Sequence, residues 1–290
     1  MTTTPVVNRT LNAYRTGVGR GMTSVRNSWT TPSEVLGALL PLAIAIGVLL
    51  FMRNFSFGGA EVSLGAMNLP SLIGMNIVFG GIMGIVGVLV MDRTNGTLLR
   101  AKSVPGGTTS YLVGEVLAAA ITTVVSSLLL LVVGLLLFDE LVFDSPLRWI
   151  GFLGVMVLGL AATLPLGAVL GALIDNPRNM TLIMLPITGL IGISGIFYPI
   201  TALPSWLQWI GQVFPMYWMG LGMRSTLLPD AMVTVEIGAS WRVPLMLLVL
   251  TIWTVTGLAL APRLLGRMAR RESGSAMTRR REELRQEWGG

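Results

Sequence analysis

The 290 residues include no histidine and no cysteine, which removes most of the side-chain chemistry a protein can perform. A Ser-His-Asp triad, a cysteine nucleophile, a His- or thiolate-bound zinc and a disulfide framework all need residues this chain lacks. Asp, Glu and lysine chemistry remain. The single lysine, Lys102, sits in Leu99-Arg100-Ala101-Lys102-Ser103, without the glycine that a GxxxxGK[ST] phosphate loop places just before its lysine. The chain therefore cannot bind and split ATP in the P-loop way by itself. No set of acid, base and nucleophile converges, so no catalytic residue and no metal ligand is expected, and an intramembrane enzyme is the weakest reading.

What remains is mechanical and binding chemistry, held in two stretches. The first runs Asp92-Arg93-Thr94-Asn95-Gly96-Thr97-Leu98-Leu99-Arg100-Ala101-Lys102-Ser103-Val104-Pro105, with a charged start, a Gly-Thr-Leu centre and a proline close. A short charged helix between two membrane spans is a lever, able to pass a movement outside the membrane to the helices within it. The second runs from Ser194 through Phe197-Tyr198-Pro199 and Leu203-Pro204-Ser205-Trp206-Leu207 to Phe214-Pro215, then Gly220 and Arg224. Leu203, Trp206, Leu207, Ile210 and Phe214 fall on one helical face, while Trp206, Trp209, Tyr217 and Trp218 suit the headgroup level. A short non-spanning helix dipping back from the outer face accounts for both features, provided protein buries its irregular backbone.

The elements that position these stretches follow from composition. Only 12% of residues are charged and mean hydropathy is +0.74, against about 25% charged in a soluble domain. This is an all-α integral membrane protein. Spans of about 20 apolar residues cross roughly 30 Å of hydrocarbon, and six such stretches occur, at 35–52, 70–91, 116–138, 149–174, 180–197 and 243–265. No apolar run precedes the first, so a cleavable signal peptide is not expected. With both termini inside, the inner segments hold 16 Lys and Arg and the outer segments four, Arg53, Arg148, Arg224 and Arg242. The positive-inside bias puts both ends in the cytoplasm. The net charge of +6 thus reads as orientation in a bilayer, with lipid and not nucleic acid as the partner.

Residues 1–34 form a cytoplasmic segment, 35–265 the six-span domain and 266–290 a basic cytoplasmic tail. Before the first span, Leu11, Tyr14, Val18, Met22, Val25 and Trp29 repeat at helical spacing with Arg9, Arg15, Arg20 and Arg26 off that stripe. This is the pattern of an amphipathic helix in the membrane interface. Gly17, Gly19 and Gly21 weaken it as a free helix, so membrane contact must stabilise it. Gly80, Gly81, Gly84 and Gly87, the Gly167/Gly171 pair, and Gly189, Gly192 and Gly195 mark helix–helix faces. Pro41, Pro165 and Pro186 mark kinks. Glu115, at the edge of the third span, is expected to snorkel or to pair with Arg100 or Lys102.

Both stretches resemble the membrane subunits of type-2 ABC exporters, the ABCG-like (type V) permeases that include bacterial drug and antibiotic efflux permeases. Asp92, Arg93, Gly96, Thr97, Leu98, Arg100 and Pro105 match that family's loop motif, and Phe197, Pro199, Leu203, Pro204, Trp206, Leu207, Pro215 and Arg224 its outer motif. The resemblance runs from Arg9 to Leu265. It departs at Thr94 and Leu99, where family members often carry acids, and this bears on charge pairing with the ATPase.

The resemblance implies a transporter subunit that is not itself an enzyme. Two permeases, as a homodimer or heterodimer in the plasma membrane, would sit on two copies of a separately encoded ABC ATPase, docked at the loop motif. That ATPase binds ATP and Mg, and this chain binds no cofactor. The second and fifth spans would face a cleft between the permeases, with Asn76, Phe79, Thr188 and Ser194 as polar and aromatic lining. The cargo would be an amphipathic or apolar drug, antibiotic or lipid-like molecule. One alternative keeps the machinery and changes the cargo to a lipid-linked polysaccharide or a lipid, and another is a channel or scaffold without ATP coupling.

Overall fold

The computed structural model describes residues 9–55, 62–174 and 176–271, and among them the chain forms ten α-helices and no strand. α1 (Arg9–Thr30) and α2 (Pro32–Met52) meet at an extended Thr31, with Pro32 at the first helical turn, where its missing N–H costs nothing. α3 (Leu64–Asn95) begins at Ser63, whose Oγ accepts the Ala66 amide at 3.2 Å, and ends at Gly96 in the left-handed region, φ 74°. α4 (Thr97–Lys102) and a second left-handed glycine, Gly106, return the chain into α5 (Gly107–Leu137). α6 (Pro146–Leu173) follows a Ser145 cap. α7 (Met180–Ile193), α8 (Ser205–Val213), α9 (Pro215–Leu227) and α10 (Val243–Arg271) complete the order. α10 runs unbroken past 265, so the expected tail begins as helix; residues 272–290 and 1–8 lie outside the described residues.

Among the described residues five helices, α2, α3, α5, α6 and α10, have the length and composition to cross a membrane. The fifth expected span, 180–197, does not. α7 stops after 14 residues, about 21 Å at 1.5 Å per residue. Gly195 (φ 67°) turns the chain there, and a Cβ on it would lie 2.9 Å from the Ile200 Cβ.

α3 is the axis, flanked by α5, α6 and α9, with α10 against α6. A Cβ at Gly80 would strike the Thr123 Oγ1 of α5 at 2.6 Å, and one at Gly167 would come within 2.7 Å of the Gly81 and Ile82 carbonyls of α3. Such close approach is how helices associate in lipid. The glycines of α7 behave otherwise. A Cβ on Gly189 or Gly192 would meet nothing within 4 Å among the described residues, so these two glycines of the expected face make no close helix approach. α2 and α7 sit at the edge of the bundle, with only Leu49 and Ile187 buried.

Candidate functional site

The charged stretch after α3 does form a short helix between two long ones, but its residues divide between two roles. Arg93, in the last turn of α3, is 1% exposed. Its guanidinium donates to the Ile174 carbonyl and, at 3.0 Å, to the Ala172 carbonyl. These lie at the C-terminal end of α6, where unpaired carbonyls and the helix dipole favour a cation. Gly96 and Leu98 are buried as well. Arg93, Gly96 and Leu98, expected to dock a partner, are buried within the turn itself. The outward surface is made by Arg100, Lys102, Val104 and Pro105, with Asp92 and Thr97 half-buried. Within it, Arg100 Nη2 donates to Thr97 Oγ1 at 3.4 Å and Ser103 Oγ to the Arg100 carbonyl at 2.8 Å.

α1 lies along the first turns of α5. Ala13, Gly17 and Gly21 face Gly106, Ser110 and Gly114, a four-residue repeat on each side. A Cβ at Gly17 would be 2.8 Å from the Ser110 carbonyl oxygen, and one at Gly21 2.8 Å from that of Gly114. The sequence marks these glycines as weaknesses of a free helix, yet they are its contact residues, and Gly19 alone faces open space. Arg20 pairs with Glu115 at 3.6 Å and stands 5.0 Å over the Tyr111 ring; it takes the place expected for Arg100 or Lys102. Leu11, Tyr14, Val18 and Met22 remain exposed, the apolar stripe an interfacial helix turns to lipid. Between α1 and α4 opens a cavity of about 490 Å³, lined by residues including Thr16, Arg20, Arg100, Val104 and Pro105.

At the other end of α3, the single re-entrant helix expected from sequence is two helices. α8 is amphipathic, exposing Trp206, Trp209, Ile210 and Val213 with Leu207 and Gly211 turned inward. Leu203, Pro204 and Phe214 lie at its ends and not on it. Pro215 then starts α9, which is buried throughout except at Ser225. It wedges against α3, where a Cβ on Gly74 would lie 2.9 Å from the Gly220 amide. Phe197 and Pro199 line the turn after α7, where Tyr198 Oη donates to the Gly192 carbonyl.

Arg224 holds this end together. It is 5% exposed, and its Nε donates to Glu236 Oε1 at 2.7 Å. Its Nη1 donates to Ser71 Oγ at 2.7 Å and to the Gly195 carbonyl at 3.2 Å. One side chain thus joins α9, α3, the turn after α7 and the segment before α10. Glu236 has no sequence pattern to mark it; the only signal is an arginine closing the outer motif without a named counter-ion.

The four expected path residues have different surroundings. Asn76 donates to the Ser126 and Ser127 hydroxyls, both at 2.9 Å, and ties α3 to α5. Ser194 is buried and closes the end of α7 on the Ile191 carbonyl at 2.8 Å. Thr188 is exposed and bonds back to Met184, and Phe79 is half-buried. Asn76 and Ser194 are engaged in packing and capping.

A family model described as ABC-2 family transporter protein matches residues 59–261, from before α3 into α10. No curated protein matches the chain.

Proposed function

From the premise that the chain belongs to the ABC-2 transporter family, we propose that it is the permease half of an ATP-driven exporter whose ATPase is a separate polypeptide. The permease would pair with a second copy or a close relative and rest on two ATPase subunits, which hold the ATP and Mg. It would move an amphipathic or apolar molecule across the plasma membrane, with both termini in the cytoplasm.

The observation that carries this reading is the outward face made by Arg100 and Lys102 on α4 and by Val104 and Pro105 in the turn after it, set between the two long helices α3 and α5. A push on α4 reaches α3 through the Gly96 turn and α6 through the Arg93 contacts with its terminal carbonyls. α1 moves with α5 because its glycines are seated on that helix. One docking face is thereby linked to most of the bundle.

Co-expression with the candidate ATPase tests the reading. The pair is expected to co-purify, and substrate is expected to stimulate ATP hydrolysis in the reconstituted complex. Reversing the outward charges, with Arg100→Glu and Lys102→Glu together, should cut both by about tenfold or more, the scale of removing one charge-assisted hydrogen bond. Unchanged association and hydrolysis would leave the coupling face without a role.

A further inference from the structure

The Arg224–Glu236 pair has a feature that coupling does not require. Both side chains are more than nine-tenths buried, and charges withdrawn from water are retained only where excellent geometry and further hydrogen bonds compensate them. Here the compensation is incomplete. Among the described residues Glu236 Oε2 has no hydrogen-bond partner, whereas Oε1 holds Arg224.

The same two residues line a cavity of about 170 Å³. Asn68 and Ser71 add to its polar side, Met67 and Val235 to its apolar side, and Phe197 and Tyr198 are lining residues that also reach the surface. At about 30 Å³ per water the space suits a small head group, not a whole drug-sized molecule, which needs roughly 300 Å³ or more.

The chemistry of the occupant follows from the charges. Arg224 and Glu236 already neutralise one another, so a charged head would bring a buried charge without a counter-ion. An ionised carboxylate oxygen only accepts hydrogen bonds, so the head must donate one. We propose that this cavity binds the hydroxyl head of an uncharged amphipath, its O–H donated to Glu236 Oε2 and its apolar chain lying along Met67, Val235 and Phe197. Binding here needs no ATPase, so this site and the coupling face fail or stand separately.

The test uses the purified full chain in detergent, irradiated with a diazirine-bearing n-octanol and mapped by mass spectrometry. Adducts are expected on residues 195–199 and 232–236, reduced about fivefold or more by excess octanol. Methyl octyl ether, which cannot donate, and octylammonium, which is charged, should leave them in place. Val235→Trp fills the cavity without touching the ion pair and should abolish these adducts. Equal competition by the ether or the ammonium overturns the proposal, as do adducts spread evenly over α2 and α5. The competition series uses the unaltered chain, so it decides the matter even where Val235→Trp does not fold.

Discussion

Arg93 and Arg100 belong to one charged run, but they face different surroundings. Arg93 gives two charge-assisted hydrogen bonds to the end of α6, each worth about 1.5–3 kcal/mol. Arg93→Ala is therefore expected to lower the unfolding midpoint in detergent by at least one such bond while the ATPase still co-purifies. Arg100→Ala, on an exposed side chain, should leave stability within about 0.5 kcal/mol and weaken co-purification. The opposite pattern would return Arg93 to the docking surface. The sequence identifies the motif, but the carbonyl that buries Arg93 lies 81 residues further on, beyond the reach of any local spacing. Glu236 is hidden for a related reason, since it follows a 3-10 stretch without periodicity. Glu236→Gln strands a buried guanidinium and should cost about 3–5 kcal/mol. The double change Arg224→Met, Glu236→Leu should recover most of that cost, and thermal unfolding of the parent and the variants in one detergent decides it.

The helices show where pattern succeeds and where it fails. α2, α3, α5, α6 and α10 are legible because an uninterrupted apolar run leaves few alternatives to a spanning helix. The end of α7 is not, because its break depends on the positive φ of Gly195, and a glycine inside an apolar run is ordinary in spanning helices. α1 shows the same limit at its own glycines. Its amphipathicity is readable from the stripe Leu11, Tyr14, Val18 and Met22, but the match of Gly17 and Gly21 to Ser110 and Gly114 is tertiary. Gly17→Leu should overpack this seam at a cost of about 1–3 kcal/mol. Hydrogen exchange across α1 is then expected to quicken by about fivefold or more, with Gly19→Leu silent because Gly19 meets nothing within 4 Å. Equal effects from the two would mean that lipid, not α5, holds α1.

At the scale of the molecule, charge and packing divide the bundle into two unlike ends. One end carries α4 with Arg100 and Lys102, the seam between α1 and α5, and Arg93 at the end of α3. The other carries α8, the buried Arg224–Glu236 pair and the short 3-10 turns before α10. On the six-span reading of the sequence, the 16 to four division of Lys and Arg would place the first end in the cytoplasm, because translocating a cluster of cations across the bilayer is disfavoured. Packing alone makes no such assignment, since it is indifferent to which way the bundle faces. A chain without cysteine allows a direct measurement with single introduced thiols. Ser103, after α4, and Thr234, before α10, are both exposed and take a cysteine without disturbing the core. A membrane-impermeant maleimide should label Ser103→Cys in inside-out vesicles and spare it in right-side-out ones, with Thr234→Cys giving the reverse. If Ser103→Cys is instead labelled from outside, α4 faces away from every cytoplasmic ATPase, and the docking face loses its partner whatever its chemistry.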